Sequence, residues 1–329
     1  MRRALPAVGL FFLAPLVAEF LLGNLPITLL GALVVLAPMY GGGALLIRET
    51  ARRTGRGWPT MIVLAFAYAV FEEAFTTQTL FNPNYLHLNL GLLKPAYIPA
   101  LGIGAWWTVF VLTLHTVWSI STSIALVEAV VPNRSSIPWL GRLGVIVTGV
   151  LFIFGAAVST RFSLRQDTFV ASVPQFVCSA LVCLVAAVVA FCIPRTSPHP
   201  AIAGNVPNPW LVGAGALLAG STFLMIPMTW AWWAVVAYLT LDLLVIAAVW
   251  RWSPRQEWNS MHRLALAGGA ALAYAWHAFV QTPAVGQANK TTRIGNAVFA
   301  VALIILLAIA ARQNTGHTAG QEASAATLP

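Results

Sequence analysis

The chain has 329 residues, of which 59% are hydrophobic and only 8% are charged. Ordinary globular domains carry about 25% charged residues, so a soluble domain is excluded. Cytosolic Rossmann enzymes, nucleic-acid enzymes and disordered scaffolds are excluded with it, and no nucleic-acid partner is expected. The net charge of +9 is explained by orientation in a bilayer and by contact with anionic lipid on the cytoplasmic leaflet.

The apolar segments predict an all-α, polytopic transmembrane helix bundle of about ten spans, because each crossing of a bilayer needs about 20 apolar residues. In chain order the predicted spans are 5–22, 25–47, 60–81, 103–131, 140–159, 169–193, 210–226, 229–250, 264–281 and 294–311.

The basic residues predict how these spans are oriented. When both termini are placed in the cytoplasm, most of the 18 lysine and arginine residues fall on the cytoplasmic side, as the positive-inside rule requires. An odd number of spans would lose this asymmetry. We therefore expect a multi-pass protein of the cell (plasma or inner) membrane with both termini inside. Residues 1–22 could also be read as a signal peptide, but no small-x-small cleavage site follows them.

Changes in composition divide the chain into four regions. Residues 1–193 form a six-span membrane region that carries the candidate site, and the Pro-rich residues 194–209 form a cytoplasmic linker. Residues 210–311 form a four-span membrane region, and residues 312–329 are expected to be a disordered cytoplasmic tail. The apolar outer loop 82–102 is expected either to cap the site or to lie along the membrane interface as a connector.

Ionisable residues inside the membrane are the strongest functional candidates, because each costs a few kcal/mol at a helix centre and is therefore rare. They are Glu19, Glu72, Glu73, His115, Glu128, Asp242 and His277. Glu19 and Glu128 lie near span ends, so we expect their side chains to reach the interface.

Glu72 and Glu73 lie near the middle of the third predicted span, and His115 lies near the middle of the antiparallel fourth span. Two adjacent carboxyl groups in a low-dielectric site do not both ionise without a cation or several hydrogen-bond donors. We therefore expect Glu72, Glu73 and His115 to converge on one water-accessible cavity. The structural alternative is a protonated carboxyl pair hydrogen-bonded across a helix interface.

Other polar and glycine positions have more than one interpretation. His277 in the ninth span and Asp242 in the eighth span are both candidate partners for the Glu-Glu/His group. The runs Gly41–Gly43 and Gly268–Gly269 either allow close helix packing or form unwound substrate sites.

The Glu-Glu pair and the following histidine resemble two motifs of the CPBP family of intramembrane proteases, which includes CAAX-processing and bacteriocin-processing enzymes. Glu72 and Glu73 match the first motif, EExxxR, with Thr77 at the arginine position. His115 matches the second motif, FxxxH, with Val111 at the aromatic position. The resemblance covers about residues 60–128.

His277, with Gln281 four residues later, is the nearest candidate for the third motif of that family. The resemblance implies a peptidase in which Glu72 or Glu73 is the general base that activates a water molecule. It implies that His115 and His277 stabilise the oxyanion or hold a divalent metal such as zinc.

Two alternatives to a protease stay open. Ten spans and a mid-membrane carboxylate pair also suit a proton-coupled transporter or permease for a small molecule. A non-catalytic membrane partner protein is the third interpretation. The substrate, whether a membrane peptide or a small molecule, is not identified by these residues.

Overall fold

The computed structural model describes residues 4–195 and 202–326, and these residues form ten long helices and one small hairpin. The helices are α1 (Leu5–Leu21), α2 (Ile27–Arg53), α3 (Trp58–Thr76), α4 (Ala105–Val130), α5 (Arg142–Gln166), α6 (Val173–Cys192), α7 (Pro209–Met225), α8 (Trp232–Trp252), α9 (Ser260–His277) and α10 (Lys290–Ala326). Two short antiparallel strands, β1 (Tyr97–Ile98) and β2 (Ile103–Gly104), form a hairpin before α4. The predicted all-α helix bundle is confirmed.

Each predicted span overlaps one of these helices. Among the described residues, seven helices are long and apolar enough to cross a bilayer, and α1 and α7 are shorter apolar helices. The exposed faces of α5, α6, α8 and α10 carry many large aliphatic side chains, such as Leu143, Leu181 and Leu243. Because such faces are stable only in an apolar solvent, they lie against the lipid bilayer.

The first four helices are irregular. Each contains a π-helical stretch: Leu16–Leu21 in α1, Ala37–Gly41 in α2, Glu72–Thr76 in α3 and His115–Thr122 in α4. The six later helices have none within the described parts of the chain. π-Helical turns are rare and occur frequently at functional sites.

Three aromatic and aliphatic cores hold the described part of the bundle together, and two of them are large. One core joins α4 to α7, α8 and α9, with Trp118 stacked on Tyr274 at a ring-centroid distance of 4.9 Å. Another core packs α1, α2, α3 and α4 around Tyr40 and Tyr68, with Phe152 of α5 at its edge. The first core contains side chains from both predicted membrane regions, although the four-region division itself stays a prediction.

A buried charge network closes the end of the bundle near residues 48–53. Arg48 is fully buried, and its guanidinium donates to Glu128 Oε1 at 2.9 Å and to Glu49 Oε1 at 3.1 Å. The guanidinium also lies 3.3 Å from the ring centroid of Trp139, and Arg52 donates to both Glu128 oxygens. Glu128 therefore does not extend to the interface as expected, because two arginines hold its carboxylate inside the protein.

The C-terminal tail and the linker were both assigned from sequence. α10 continues to Ala326, through most of the tail expected to be disordered from residue 312, since its alanines favour helix. The linker expectation falls partly on residues 196–201, which lie outside the described residues.

The outer loop folds back onto the bundle. Leu92, Leu93 and Ala96 are buried, and Asn82 Nδ2 donates to Asp167 Oδ2 at 2.7 Å. Burial raises the pKa of Tyr85 well above its usual value, and the nearby Glu73 charge raises this pKa further. The loop thus packs back onto the bundle, and the capping interpretation stays a prediction.

The glycine runs lie in continuous helix and allow neighbouring helices to approach closely. A Cβ at Gly269 in α9 would collide with the Gly213 carbonyl oxygen in α7 and would lie 2.8 Å from the Ala216 side chain. A Cβ at Gly41 would likewise collide with the backbone of Phe11. These contacts support the packing interpretation of both runs.

We predict that Gly269→Ala destabilises the protein by about 1–3 kcal/mol, because the added methyl group overpacks the α7–α9 interface. The matched control is Gly215→Ala in α7, where a Cβ would meet nothing within 4 Å. The control should change stability by less than about 1 kcal/mol. Denaturant unfolding of both variants in detergent measures the difference, and equal stabilities would contradict the close approach of α7 and α9.

Candidate functional site

Glu72, Glu73 and His115 meet between α3 and α4. His115 Nε2 lies 2.8 Å from Glu73 Oε1, and His115 Nδ1 lies 3.3 Å from Glu72 Oε2. The three residues are only 1%, 4% and 5% exposed. One ligand atom from each lies within 4.8 Å of the other two. We call this group the carboxylate–histidine centre.

The two carboxylates of this centre have different surroundings. Glu73 Oε2 accepts hydrogen bonds from the hydroxyl groups of Thr77, at 3.2 Å, and Thr79. Trp107 Nε1 donates to Thr79 Oγ1 at 2.9 Å and so fixes that hydroxyl group. Together with His115, these contacts hold the Glu73 carboxylate in one position.

Glu72, in contrast, has an oxygen without a hydrogen-bond donor. Its Oε2 lies near His115 Nδ1, but the geometry is too poor for a hydrogen bond, and Nδ1 lies instead 3.1 Å from Ser119 Oγ. The buried Tyr68 hydroxyl and Thr76 Oγ1 likewise make no hydrogen bond of good geometry with the described residues. Tyr68, Glu72 and Thr76 are spaced by four residues and share one face of α3, so this face is a polar surface on which water or an ion can bind.

A chain of polar contacts leads from His115 to one end of the bundle. The Tyr40 ring stacks on the His115 ring at a centroid distance of 5.9 Å, and the Tyr40 hydroxyl donates to Glu19 Oε1 at 2.7 Å. Asn24 Nδ2 donates to Glu19 Oε2 at 3.3 Å, and Gln281 Nε2 donates to Asn24 Oδ1 at 2.6 Å. Glu19 is half-buried near the end of α1, so the expectation that it lies near the interface stays open, with Tyr40 on α2 holding one of its oxygens.

Most of the polar side chains in this series of contacts come from the irregular parts of the first four helices. Glu19, Tyr40, Glu72, Glu73 and His115 all lie within π-helical stretches. Each π turn changes the direction of the side chains that follow it, so four neighbouring helices can turn polar groups toward one place. Pro15 and Pro38 lie at the first two stretches and were the only sequence signal for them.

His277 and Asp242 lie outside the carboxylate–histidine centre. His277 is the last residue of α9, whose contact with α4 is made by Tyr274 against Trp118 rather than by His277. Asp242 on α8 accepts a hydrogen bond from Thr113 at 2.8 Å, on a different face of α4 from His115. The structure therefore does not bring either of them to Glu72 and Glu73.

Fold and site together define a polytopic α-helical membrane protein with a buried carboxylate–histidine centre. The chain belongs to the family described as "Uncharacterized membrane protein family", whose family model matches residues 9–328. No curated protein and no solved structure matches the chain.

This family assignment corrects the resemblance to CPBP proteases, which was wrong. The match to the membrane protein family covers nearly the whole chain, whereas the resemblance rested on three residues within 60–128. The structure gives a further reason: Thr77, at the arginine position of the first motif, hydrogen-bonds to Glu73 and supplies no positive charge.

We predict that Glu73→Gln and Glu72→Gln have unequal effects on stability. Glu73→Gln should cost about 3 kcal/mol, because it breaks a buried ion pair and leaves His115 without its carboxylate partner. Glu72→Gln should cost less than about 1 kcal/mol, since it removes a carboxylate oxygen that no donor satisfies. Denaturant unfolding in detergent tests both, and a larger loss for Glu72→Gln would show that the two roles are assigned the wrong way round.

Proposed function

We propose that the protein is a membrane-embedded hydrolase that cleaves a membrane-associated peptide bond at the carboxylate–histidine centre. The observation that carries the proposal is the unequal environment of two adjacent buried carboxylates. Glu73 is held by three donors, while Glu72 keeps a free oxygen beside His115. A general base needs this arrangement, because it must be positioned by its neighbours and still be free to accept a proton.

In this mechanism Glu72 takes a proton from a water molecule, and the water oxygen attacks the peptide carbonyl carbon. Glu73 holds His115 in position through Nε2, as a carboxylate does for histidine in other hydrolytic sites. Protonated His115 stabilises the negative charge that develops on the carbonyl oxygen. The proton held by Glu72 passes to the leaving amine, so water and peptide yield one acid and one amine.

The same three residues suit a divalent metal such as zinc. Zinc accepts carboxylate oxygen and imidazole nitrogen, and catalytic zinc sites use three protein ligands and keep one position for water. Glu72, Glu73 and His115 offer three such ligands within 4.8 Å of one another. A bound metal would lower the pKa of its water and strengthen the nucleophile.

Access to the centre requires a helix to move, because the three side chains are almost completely buried. α5 is the best candidate for this movement. Its Phe152 packs against Tyr68 and Phe71 beside the centre, while most of the helix surface is exposed toward lipid. A peptide lying in the bilayer would then reach Glu72 from the side.

A proton-coupled transporter is the second candidate, and one specific observation favours it. The polar chain through Tyr40, Glu19 and Asn24 connects the centre to one end of the bundle. A transporter uses such a chain of titratable and hydroxyl groups to load its mid-membrane carboxylates with protons. A non-catalytic partner protein would need neither the chain nor the free Glu72 oxygen.

One experiment separates these functions. The purified protein, in lipid vesicles, is tested for cleavage of transmembrane peptides and for solute uptake driven by a pH gradient. We expect cleavage that falls at least about 10²-fold in Glu72→Gln, the size of a general-base contribution. The control is Asp242→Asn, which removes a membrane carboxylate that pairs with Thr113 away from the centre and should keep full activity.

Metal analysis of the same samples tests the ligand assignment. If the centre works with a metal instead of protonated His115, the wild type should hold about one zinc-type ion per chain. His115→Ala should then lose that ion and Asp242→Asn should keep it, whereas a metal-free wild type supports the mechanism through protonated His115. Uptake without cleavage would select the transporter. Equal activity of the wild type and Glu72→Gln in both assays would contradict both functions.

We also propose ten spans with both termini in the cytoplasm of a plasma (inner) membrane. Contacts between helix ends on each side support this topology. On the side assigned to the cytoplasm, Arg53 donates to the Leu140 carbonyl and Asn314 to the Ala129 carbonyl. On the outer side, Gln281 donates to Asn24 and Asn82 donates to Asp167.

A reporter fused after Arg53 should therefore behave as cytoplasmic, and one inserted after Asn89 in the outer loop should behave as external. Paired phosphatase and fluorescent-protein fusions measure both positions. An external signal at Arg53 would overturn the orientation.

A further inference from the structure

A second polar cavity lies at the end of the bundle that carries the Arg48–Glu128 network. Its volume is about 300 Å³, close to the lower limit for small-molecule sites. It is lined by the ends of α3, α4, α9 and α10, including Trp58, Glu128, Trp258, Asn259, Ser260 and Arg263. None of these residues belongs to the carboxylate–histidine centre.

Arg263 is the charged group of this cavity that other described residues do not pair with. Within the described chain, its guanidinium makes no hydrogen bond or ion pair, although it lies in the field of Glu128 and Arg52. Arg263 is half-buried at the start of α9. A guanidinium in this position presents several N–H donors to whatever occupies the cavity.

Glu128 does not supply the partner that Arg263 lacks. Its Oε1 accepts from Arg48 at 2.9 Å, and its Oε2 accepts from Arg52 Nη2 at 2.8 Å. The second carboxylate of the network, Glu49, is also occupied, by Arg48 and Arg53. Arg48, Arg52 and Arg53 thus neutralise both carboxylates, which leaves the charge of Arg263 available to an anion in the cavity.

The two tryptophans indicate the depth of the cavity. Trp58 begins α3, Trp258 lies just before α9, and both line the cavity. Tryptophan is enriched where a membrane helix meets the lipid headgroups. Arginine binds phosphate oxygens in pairs through its planar fork of N–H groups.

From this combination we infer that the cavity is a binding site for a phosphate group, which Arg263 holds between Trp58 and Trp258. The phosphate comes either from an anionic phospholipid headgroup or from a free phosphorylated molecule. A lipid bound there would contact the ends of four helices at once, so it would stabilise their packing. The site does not depend on the hydrolase proposal.

Native mass spectrometry of the full-length protein tests the inference. The protein is titrated in detergent with phosphatidylglycerol and, separately, with phosphatidylcholine. The wild type should retain one phosphatidylglycerol in preference to phosphatidylcholine. Arg263→Gln should weaken this binding about tenfold, as expected for the loss of one charge-assisted contact. Arg263→Lys should recover part of the affinity.

The matched control is Arg312→Gln, which removes the same charge from an exposed position on the neighbouring α10. This control should bind as the wild type does. Equal weakening in Arg263→Gln and Arg312→Gln would overturn the inference, because diffuse attraction would then explain the binding. Equal retention of the two lipids by the wild type would overturn it as well.

A cavity-filling variant and a competition arm complete the test. Ala125→Leu fills the cavity without changing its charge, so this variant should bind less phosphatidylglycerol. It serves as the test if Arg263→Gln does not fold. Displacement of the lipid by inorganic phosphate supports a site for free phosphate, whereas displacement by lysophosphatidylglycerol alone supports a headgroup site. Unchanged binding in Ala125→Leu would place the lipid elsewhere and contradict the inference.

Discussion

The structure depends on the cost of placing charge inside a bilayer, a few kcal/mol for each unpaired group. The chain meets this cost partly by pairing charges between helices. Arg48 on α2 contacts Glu128 on α4, and Glu73 on α3 contacts His115 on α4. Because α4 takes part at both depths, the two pairs together fix how α2 and α3 are aligned with it. The apolar helices around them need only match the lipid.

The π-helical stretches explain how polar groups meet in one place while the outer faces stay apolar. In a regular α-helix, successive side chains point 100° apart, so the neighbour of an inward-facing Glu72 would point to a different face. A π turn inserts one more residue per turn and changes that order, so Glu72 and Glu73 can both contact His115. The same irregularity in α1 and α2 brings Glu19 to Tyr40. Four such stretches side by side favour a functional site over simple helix packing.

Hydropathy predicted the positions of the helices, because each helix has to bury an apolar length that can be counted along the chain. Depth in a span likewise predicted that Glu72, Glu73 and His115 would lie close together. Depth failed for Glu128, whose surroundings depend on Arg48 and Arg52 from α2. It failed for His277 because the rotation of α9 is set by Trp118 against Tyr274. The resemblance to CPBP proteases was wrong because it rested on short motifs. Two glutamates and a histidine can match those motifs even when the arginine of the first motif is absent.

The two charge clusters differ in a way that stability alone does not explain. Every carboxylate oxygen of Glu49 and Glu128 accepts a hydrogen bond or an ion pair. At the carboxylate–histidine centre, Glu72 Oε2, the Tyr68 hydroxyl and Thr76 Oγ1 make no hydrogen bond with the described residues, although Glu72 Oε2 lies 3.3 Å from His115 Nδ1. Each buried group without a hydrogen bond costs about 1–3 kcal/mol. If stability of the bundle were the sole requirement, we would expect both oxygens of Glu72 to accept hydrogen bonds, as both oxygens of Glu128 do. The unsatisfied face of α3 is therefore the physical reason to look for chemistry at Glu72, and the completed network at Arg48 is the reason to regard that cluster as structural.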